Sequence, residues 1–174
     1  METVVLVDEN DVAINAMEKI EAHQKGLLHR AFSIFVFNTK GELLLQQRAL
    51  TKYHSGGLWT NTCCSHPRWG EEIENAAKRR LKEEMGIELT LTKVFDFIYE
   101  ATFSNGLTEH EFDHVFVGYS DIKPDINVNE VANYAYRNME AIKQVIETNS
   151  EFYTEWFVIA FPKIYDWWKK KKLS

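Results

Sequence analysis

The sequence predicts an α+β fold, and three observations carry that prediction. Short, apolar, β-prone runs recur on both sides of a helical stretch at residues 71–85. Two more helical stretches, at 139–148 and 152–171, close the chain. No internal repeat, low-complexity tract or Pro/Gly/Ser-rich linker divides the 174 residues, so residues 1–174 read as one domain. Strands before and after a central helix, with helices at the end, pack as a layered sandwich around one core.

The elements follow in order. Residues 3–8 (TVVLVD) read as a strand. Asn15, with Glu18 three residues on, reads as a capped helix start. Residues 31–37 (AFSIFVF) and 42–48 (ELLLQQR) read as strands joined by a hairpin turn at Asn38–Gly41. Residues 53–61, with Gly56-Gly57, read as a loop running into a strand. In 71–85, Ile73, Ala76, Ala77, Arg80, Leu81 and Glu84 fall near one helical face, and Gly86 is placed to stop that helix. Residues 88–100, 111–119 and 129–137 read as strands. Pro162 is expected to interrupt or bend the last helix.

A chain that is 45% apolar and 13% aromatic buries a core without staples. Its net charge of -6 argues against a nucleic-acid surface. An anionic ligand needs lysines and arginines concentrated locally, helped by a metal. The two cysteines, Cys63 and Cys64, are adjacent; disulfide geometry does not suit neighbours, so a reducing cytoplasm is expected. No apolar run approaches the ~20 residues of a membrane span, and Met1-Glu2-Thr3 does not open a signal peptide. The expected partner is a small molecule rather than nucleic acid or membrane, bound by a monomer or weak homodimer.

Two constellations point to a metal. His66 follows Cys64 by two residues, so on an extended chain the two share a face, and Pro67 ends any ladder just beyond. Glu109 and Glu111 are also two apart and project to one side of a strand. Carboxylates that close repel unless a cation or proton intervenes. Imidazole and carboxylate donors together suit a divalent transition metal such as Zn²⁺ or Mn²⁺.

Aligned on Gly86, the residues Ser65, Glu71, Arg79, Leu81, Glu83, Glu84, Gly86 and Ile87 resemble the Nudix box, in which a loop and helix present glutamates to Mg²⁺ held by a diphosphate. The resemblance implies an α/β/α sandwich with a mixed central sheet and additional terminal helices. Two positions depart from the box: Ser65 stands where it opens with Gly, and Arg80 where it carries a main metal-binding glutamate. That second change implies a weakened hydrolytic cluster and a different chemistry.

The run Trp59-Thr-Asn-Thr-Cys-Cys-Ser-His-Pro67, followed by this altered box, resembles type 1 isopentenyl diphosphate isomerases from the His23 region to Trp156. Members interconvert isopentenyl and dimethylallyl diphosphate by protonating one carbon and deprotonating another through a tertiary carbocation. The resemblance implies Cys64 and Glu111 as the proton-transfer groups, Tyr99 beside them, and Trp156 facing the cation. It implies His23, His29, His66, Glu109 and Glu111 as ligands of a tightly bound Mn²⁺ or Zn²⁺. It further implies Glu84 and the Cys64 carbonyl on the substrate's Mg²⁺, and Lys19, Arg48, Lys52 and Arg80 on the diphosphate. The His23–His29 loop is a residue shorter than the common bacterial pattern. The competing classes are a Nudix hydrolase of nucleoside diphosphates, which Arg80 disfavours, and a non-catalytic binding module, which would not need Cys64 or Glu111.

Overall fold

The computed structural model describes residues 1–174. Strands β1 (Thr3–Val7) and β2 (Ala13–Glu18) form an antiparallel hairpin running from Thr3↔Glu18 to Val7↔Ala13. Residues 15–18 are therefore strand, not the expected helix start. The turn explains the outcome: the Asp8 carboxylate accepts from the amides of Asn10 and Val12 at 2.8 and 3.0 Å, and Asp11 takes a left-handed conformation with φ 63°. The chain folds back onto β1, and a full ladder outweighs one cap. Helix α1 (Lys19–Lys25) then begins under Glu18, which accepts from the amides of Ile20 and Glu21.

Strand β3 (His29–Phe37) is the spine of the sheet. Its near-continuous apolar sequence is what burial on both faces requires. One edge pairs in parallel with β8 (Thr108–Tyr119), from His29↔Glu111 to Phe37↔Tyr119. The other edge meets three strands in succession: β1 at Leu6↔His29, β6 (Cys63–Ser65) along Phe32–Ile34, and β4 (Leu43–Arg48) at Phe37↔Leu43. The expected hairpin of 31–37 and 42–48 is thus reduced to a single pair. Beyond it, β4 swings away to pair with β9 (Val131–Arg137) and with β5 (Trp59–Thr60). That splay opens the edge of β3 and admits the Cys63–Ser65 strand.

The sheet lies between helices. Phe32, Ile34 and Val36 pack with Leu81 and Met85 of α2 (Ile73–Met85). Phe35 and Phe37 alternate to the other face and meet Phe157, Phe161 and Ile164 of α4 (Glu155–Leu173), with α3 (Met139–Asn149) alongside. β7 (Thr92–Thr102) flanks β8 antiparallel. The fold is the α/β/α sandwich with a mixed sheet. Helix α4 runs unbroken through Pro162; its Phe157, Phe161 and Ile164 contacts offset the missing backbone donor, a defect of about 3 kcal/mol in an isolated helix. No helix is long and apolar enough to cross a membrane.

Gly86 ends α2 at φ 65°, donating its amide to the Lys82 carbonyl. A Cβ there would lie 2.6 Å from the Asp125 carbonyl oxygen, whose segment caps the last turn through Asp125 and Asn127 amides on the Met85 and Glu84 carbonyls. Left-handed strain of roughly 1–2 kcal/mol adds to that clash. Gly86→Ala is expected to destabilise the protein by more than about 2 kcal/mol, measured by urea unfolding; an unchanged midpoint would refute this reading of the contact.

Candidate active site

Four donors meet where the start of β3, the C-terminal half of α1, the end of β6 and the start of β8 come together. Ligand atoms of His23, His29, His66 and Glu111 all lie within 4.8 Å of one another. The parallel register sets His29 beside Glu111. Their contact is 3.1 Å from His29 Nε2, and His66 Nε2 approaches the same carboxylate oxygen at 2.7 Å. The short His23–His29 connection still brings these rings to 5.1 Å. Gly26 turns it at φ 64°, and His110 Nδ1 donates to the Gly26 carbonyl at 3.2 Å.

The donor set fits a divalent metal on its own chemistry. His29 Nδ1 donates to the Leu27 carbonyl at 2.8 Å, so in the neutral ring Nε2 presents a lone pair toward Glu111. Two electron-rich atoms facing each other at 3.1 Å call for a cation. His23 Nε2 is buried in the same cluster with no hydrogen-bond partner. Burial, followed by the neighbouring imidazoles, depresses His23 to about 3, and burial lowers His66, so both are held in the neutral, metal-binding form.

Glu109 stands outside that four-donor cluster. Its carboxylate accepts from Tyr99 Oη at 3.2 Å and lies 3.8 Å from His54 Nε2, and burial, then the Glu111 charge, pushes it well up. The Tyr99 hydroxyl, whose single proton serves one acceptor at a time, also contacts Glu111, so it bridges the two carboxylates that period two places on one side of β8.

A cavity of about 660 Å³ opens over this cluster, lined by Cys64, His66, Tyr99, Glu111 and Trp156 together with Lys19, Arg48, Lys52, Arg80 and Glu84. Cys64 packs near Tyr99 and Trp156, and burial raises its thiol. Cys63 points the other way, into the core beside α2. It is more than the packing residue expected: its thiol donates to Glu84 Oε2 at 3.1 Å, which also accepts from Gln46 at 3.0 Å, while Glu84 Oε1 takes Arg80 at 2.7 Å. Arg80 also binds Glu83 at 2.6 Å and faces Glu130 at 3.7 Å, and Lys52 pairs with Glu130. Arg48 sits 5.1 Å over the Trp156 ring, and Lys19 sits 5.2 Å over Tyr53.

Three residues join the site without having been singled out in the sequence. His54 stacks on Phe103 at 4.7 Å and meets Trp156 edge-on at 5.7 Å. Its position two residues after Lys52, before Gly56-Gly57, was the one available signal. Gln46 lies on the predicted 42–48 strand without a distinguishing pattern. Glu130 lies 78 residues from Lys52, and no local pattern marks it.

A mixed sandwich carrying a glutamate-bearing loop and helix over a basic-lined cavity defines a Nudix domain, and residues 27–157 match the NUDIX domain family. An isopentenyl-diphosphate Delta-isomerase of Pectobacterium atrosepticum is 52% identical over 97% of this chain and 94% of its own length. Isopentenyl-diphosphate Delta-isomerase 2 of Photorhabdus laumondii is 55% identical over 90% of this chain and 88% of its own. Within the Nudix superfamily, the chain belongs to the type 1 isopentenyl-diphosphate isomerases. Solved structures agree on the fold. The protein DR0079 of Deinococcus radiodurans superposes with a TM-score of 0.78 at 20% identity, over 93% of this chain and 98% of its own. A MutT protein of Methanosarcina mazei gives 0.66 at 17%, over 84% and 96%.

Proposed function

We propose that residues 1–174 form one catalytic domain that interconverts isopentenyl and dimethylallyl diphosphate, with Cys64 and Glu111 as the two proton-transfer groups. The observation that carries this is one cavity lined both by Cys64 and Glu111 and by the cations Lys19, Arg48, Lys52 and Arg80. Lys19, Arg48, Lys52 and Arg80 neutralise the diphosphate at close range. In the same cavity, Cys64 and Glu111 stand with the Tyr99 and Trp156 rings. One group gives a proton to the terminal alkene carbon, the π pair forming the new C–H bond and leaving a tertiary cation. The other takes a proton from the neighbouring carbon, whose C–H electrons form the new double bond. The net change is one proton in and one out. Trp156 offers its π face to the cation, an interaction of about 2 kcal/mol when desolvated, and Tyr99 holds the Glu111 carboxylate in place.

His23, His29, His66 and Glu111 would hold a divalent Mn²⁺ or Zn²⁺, with Glu109, tied to Glu111 through Tyr99, as the fifth donor. Glu84 and the Cys64 carbonyl would hold the Mg²⁺ that accompanies the diphosphate. The transition metal would set the protonation state of Glu111 and fix its orientation. The protein works in the cytoplasm, where both thiols stay reduced, as a monomer or weak homodimer.

Incubation with isopentenyl diphosphate and Mg²⁺ is expected to yield dimethylallyl diphosphate, read by NMR. Phosphate release without it would favour the hydrolase reading. Arg80→Met removes a cation shared by Glu83 and Glu84. Charge-assisted hydrogen bonds contribute about 1.5–3 kcal/mol, so KM is expected to rise roughly ten- to hundredfold in steady-state assays. An unchanged KM would remove Arg80 from the diphosphate site.

A further inference from the structure

From the end of β5 toward Cys64 the chain buries three consecutive polar residues, Thr60, Asn61 and Thr62, at 2%, 1% and 0% exposure. Such burial is unfavourable unless every polar atom is hydrogen-bonded. Thr62 serves the sheet: its hydroxyl donates to the Leu44 carbonyl at 2.6 Å and accepts the Val36 amide at 2.9 Å. Thr60 and Asn61 belong to another network.

Asn61 Nδ2 donates to the Ile34 carbonyl at 3.0 Å and to the Cys63 carbonyl at 3.1 Å. Both of its protons are committed, and a flipped amide would set oxygen against two carbonyl oxygens, so the orientation is forced. Asn61 Oδ1 can therefore only accept, and it has two neighbours: Thr60 Oγ1 at 2.9 Å and Cys64 Sγ at 3.0 Å. Thr60 Oγ1 accepts from Thr154 Oγ1 at 2.9 Å. Thr154 is the N-cap of α4 and accepts the Phe157 amide at 3.3 Å. A hydroxyl has one proton, so the direction is fixed from Thr154 to Thr60 to Asn61. Cys64 approaches the same oxygen at 3.0 Å, closer than it approaches Ser33, and in that contact its S–H is the donor. Ser33 Oγ, 3.4 Å from the sulfur, gives its own proton to Asp113 at 2.7 Å and is likewise left as an acceptor.

We propose that Asn61 is a positioning residue of the reaction: it fixes the direction of the Cys64 S–H, and the Thr154–Thr60 hydroxyls lock that direction to the start of α4, two residues before Trp156. The inference deepens the isomerase reading and rests on it. A thiol and an aromatic face that address one small substrate must keep a fixed relation, because an error of about 1 Å can lower a rate about 10²-fold.

The test uses the full-length, metal-loaded protein. The Raman S–H band of Cys64 is identified by its loss in Cys64→Ser. In Asn61→Ala that band is expected to move to higher wavenumber as the hydrogen bond is lost, with kcat falling on the order of 10²-fold and KM staying within about twofold. Should that variant fail to fold, Thr60→Val, which keeps the side-chain shape, decides. Cys64 then has Oδ1 to itself, so its band moves to lower wavenumber while kcat drops roughly 3–10-fold, and Thr60→Ser restores both. A band that stays put in the folded variants, or a Thr60→Val enzyme with full kcat, overturns the proposal. Failure of the wild type to isomerise would instead refute the functional reading, since the S–H band is read without substrate.

Discussion

Cys64→Ser and Glu111→Gln are each expected to lower kcat/KM by roughly 10²–10⁴-fold, the range of a positioned acid or base, while circular dichroism and thermal unfolding show an intact fold. The serine keeps the shape of Cys64 but is a far weaker acid. The glutamine keeps the size of Glu111 but cannot take a proton. The two variants separate in metal content. Cys64 contributes no side chain to the histidine cluster, so Cys64→Ser should keep the metal. Glu111 lies within contact of both His29 and His66, so Glu111→Gln is expected to bind metal more weakly. Restoring metal saturation by excess ion should not restore turnover; recovery of full activity would make Glu111 a ligand without a proton-transfer role.

Metal removal is the second large effect. Three imidazoles and a carboxylate packed within 4.8 Å form a site present only in the folded chain, so a bound ion stabilises that state by mass action. At a free concentration a thousandfold above Kd the gain is about 4.1 kcal/mol. For a chain this long, 1 kcal/mol moves Tm by about 2–4 °C, so stripping the ion with a strong chelator is expected to lower Tm by roughly 8–16 °C and abolish activity. His66→Ala should start from the lowered value and respond little to chelator. A His66→Ala protein with full metal content and a wild-type Tm would exclude His66 as a ligand.

The parts of this architecture visible in the sequence are those whose cause is local. Helix α2 announces itself through the face of Ile73, Ala77, Leu81 and Glu84 and through Gly86. The core of β3 shows in its apolar run, and the one-sided projection of Glu109 and Glu111 follows from strand periodicity. The features that escaped the sequence are set by distant partners. Asn15–Glu18 carries a capping pattern, yet Thr3–Leu6 lies in wait as a partner strand. The 31–48 segment carries a hairpin pattern, yet β9 claims β4. Among the site residues, convergence of His23, His29, His66 and Glu111 needed the parallel β3–β8 register. The contact of Glu109 with Tyr99 depends on β7 lying against β8, which spacing does not encode.

The back-to-back placement of Cys63 and Cys64 bears on how this stretch can change over time. Two identical thiols, one peptide unit apart, serve opposite faces of one strand: one braces Glu84, the other packs near Tyr99 and Trp156. A strand that slips by one residue exchanges its two faces. An inserted or deleted residue between Trp59 and His66 would therefore put the wrong sulfur in each place and turn Asn61 away from both. Point substitutions can drift one position at a time, but length changes in this segment have no gradual route. Variation in loop length is expected to accumulate instead at the exposed turns, such as 104–106 between β7 and β8, where no such exchange follows.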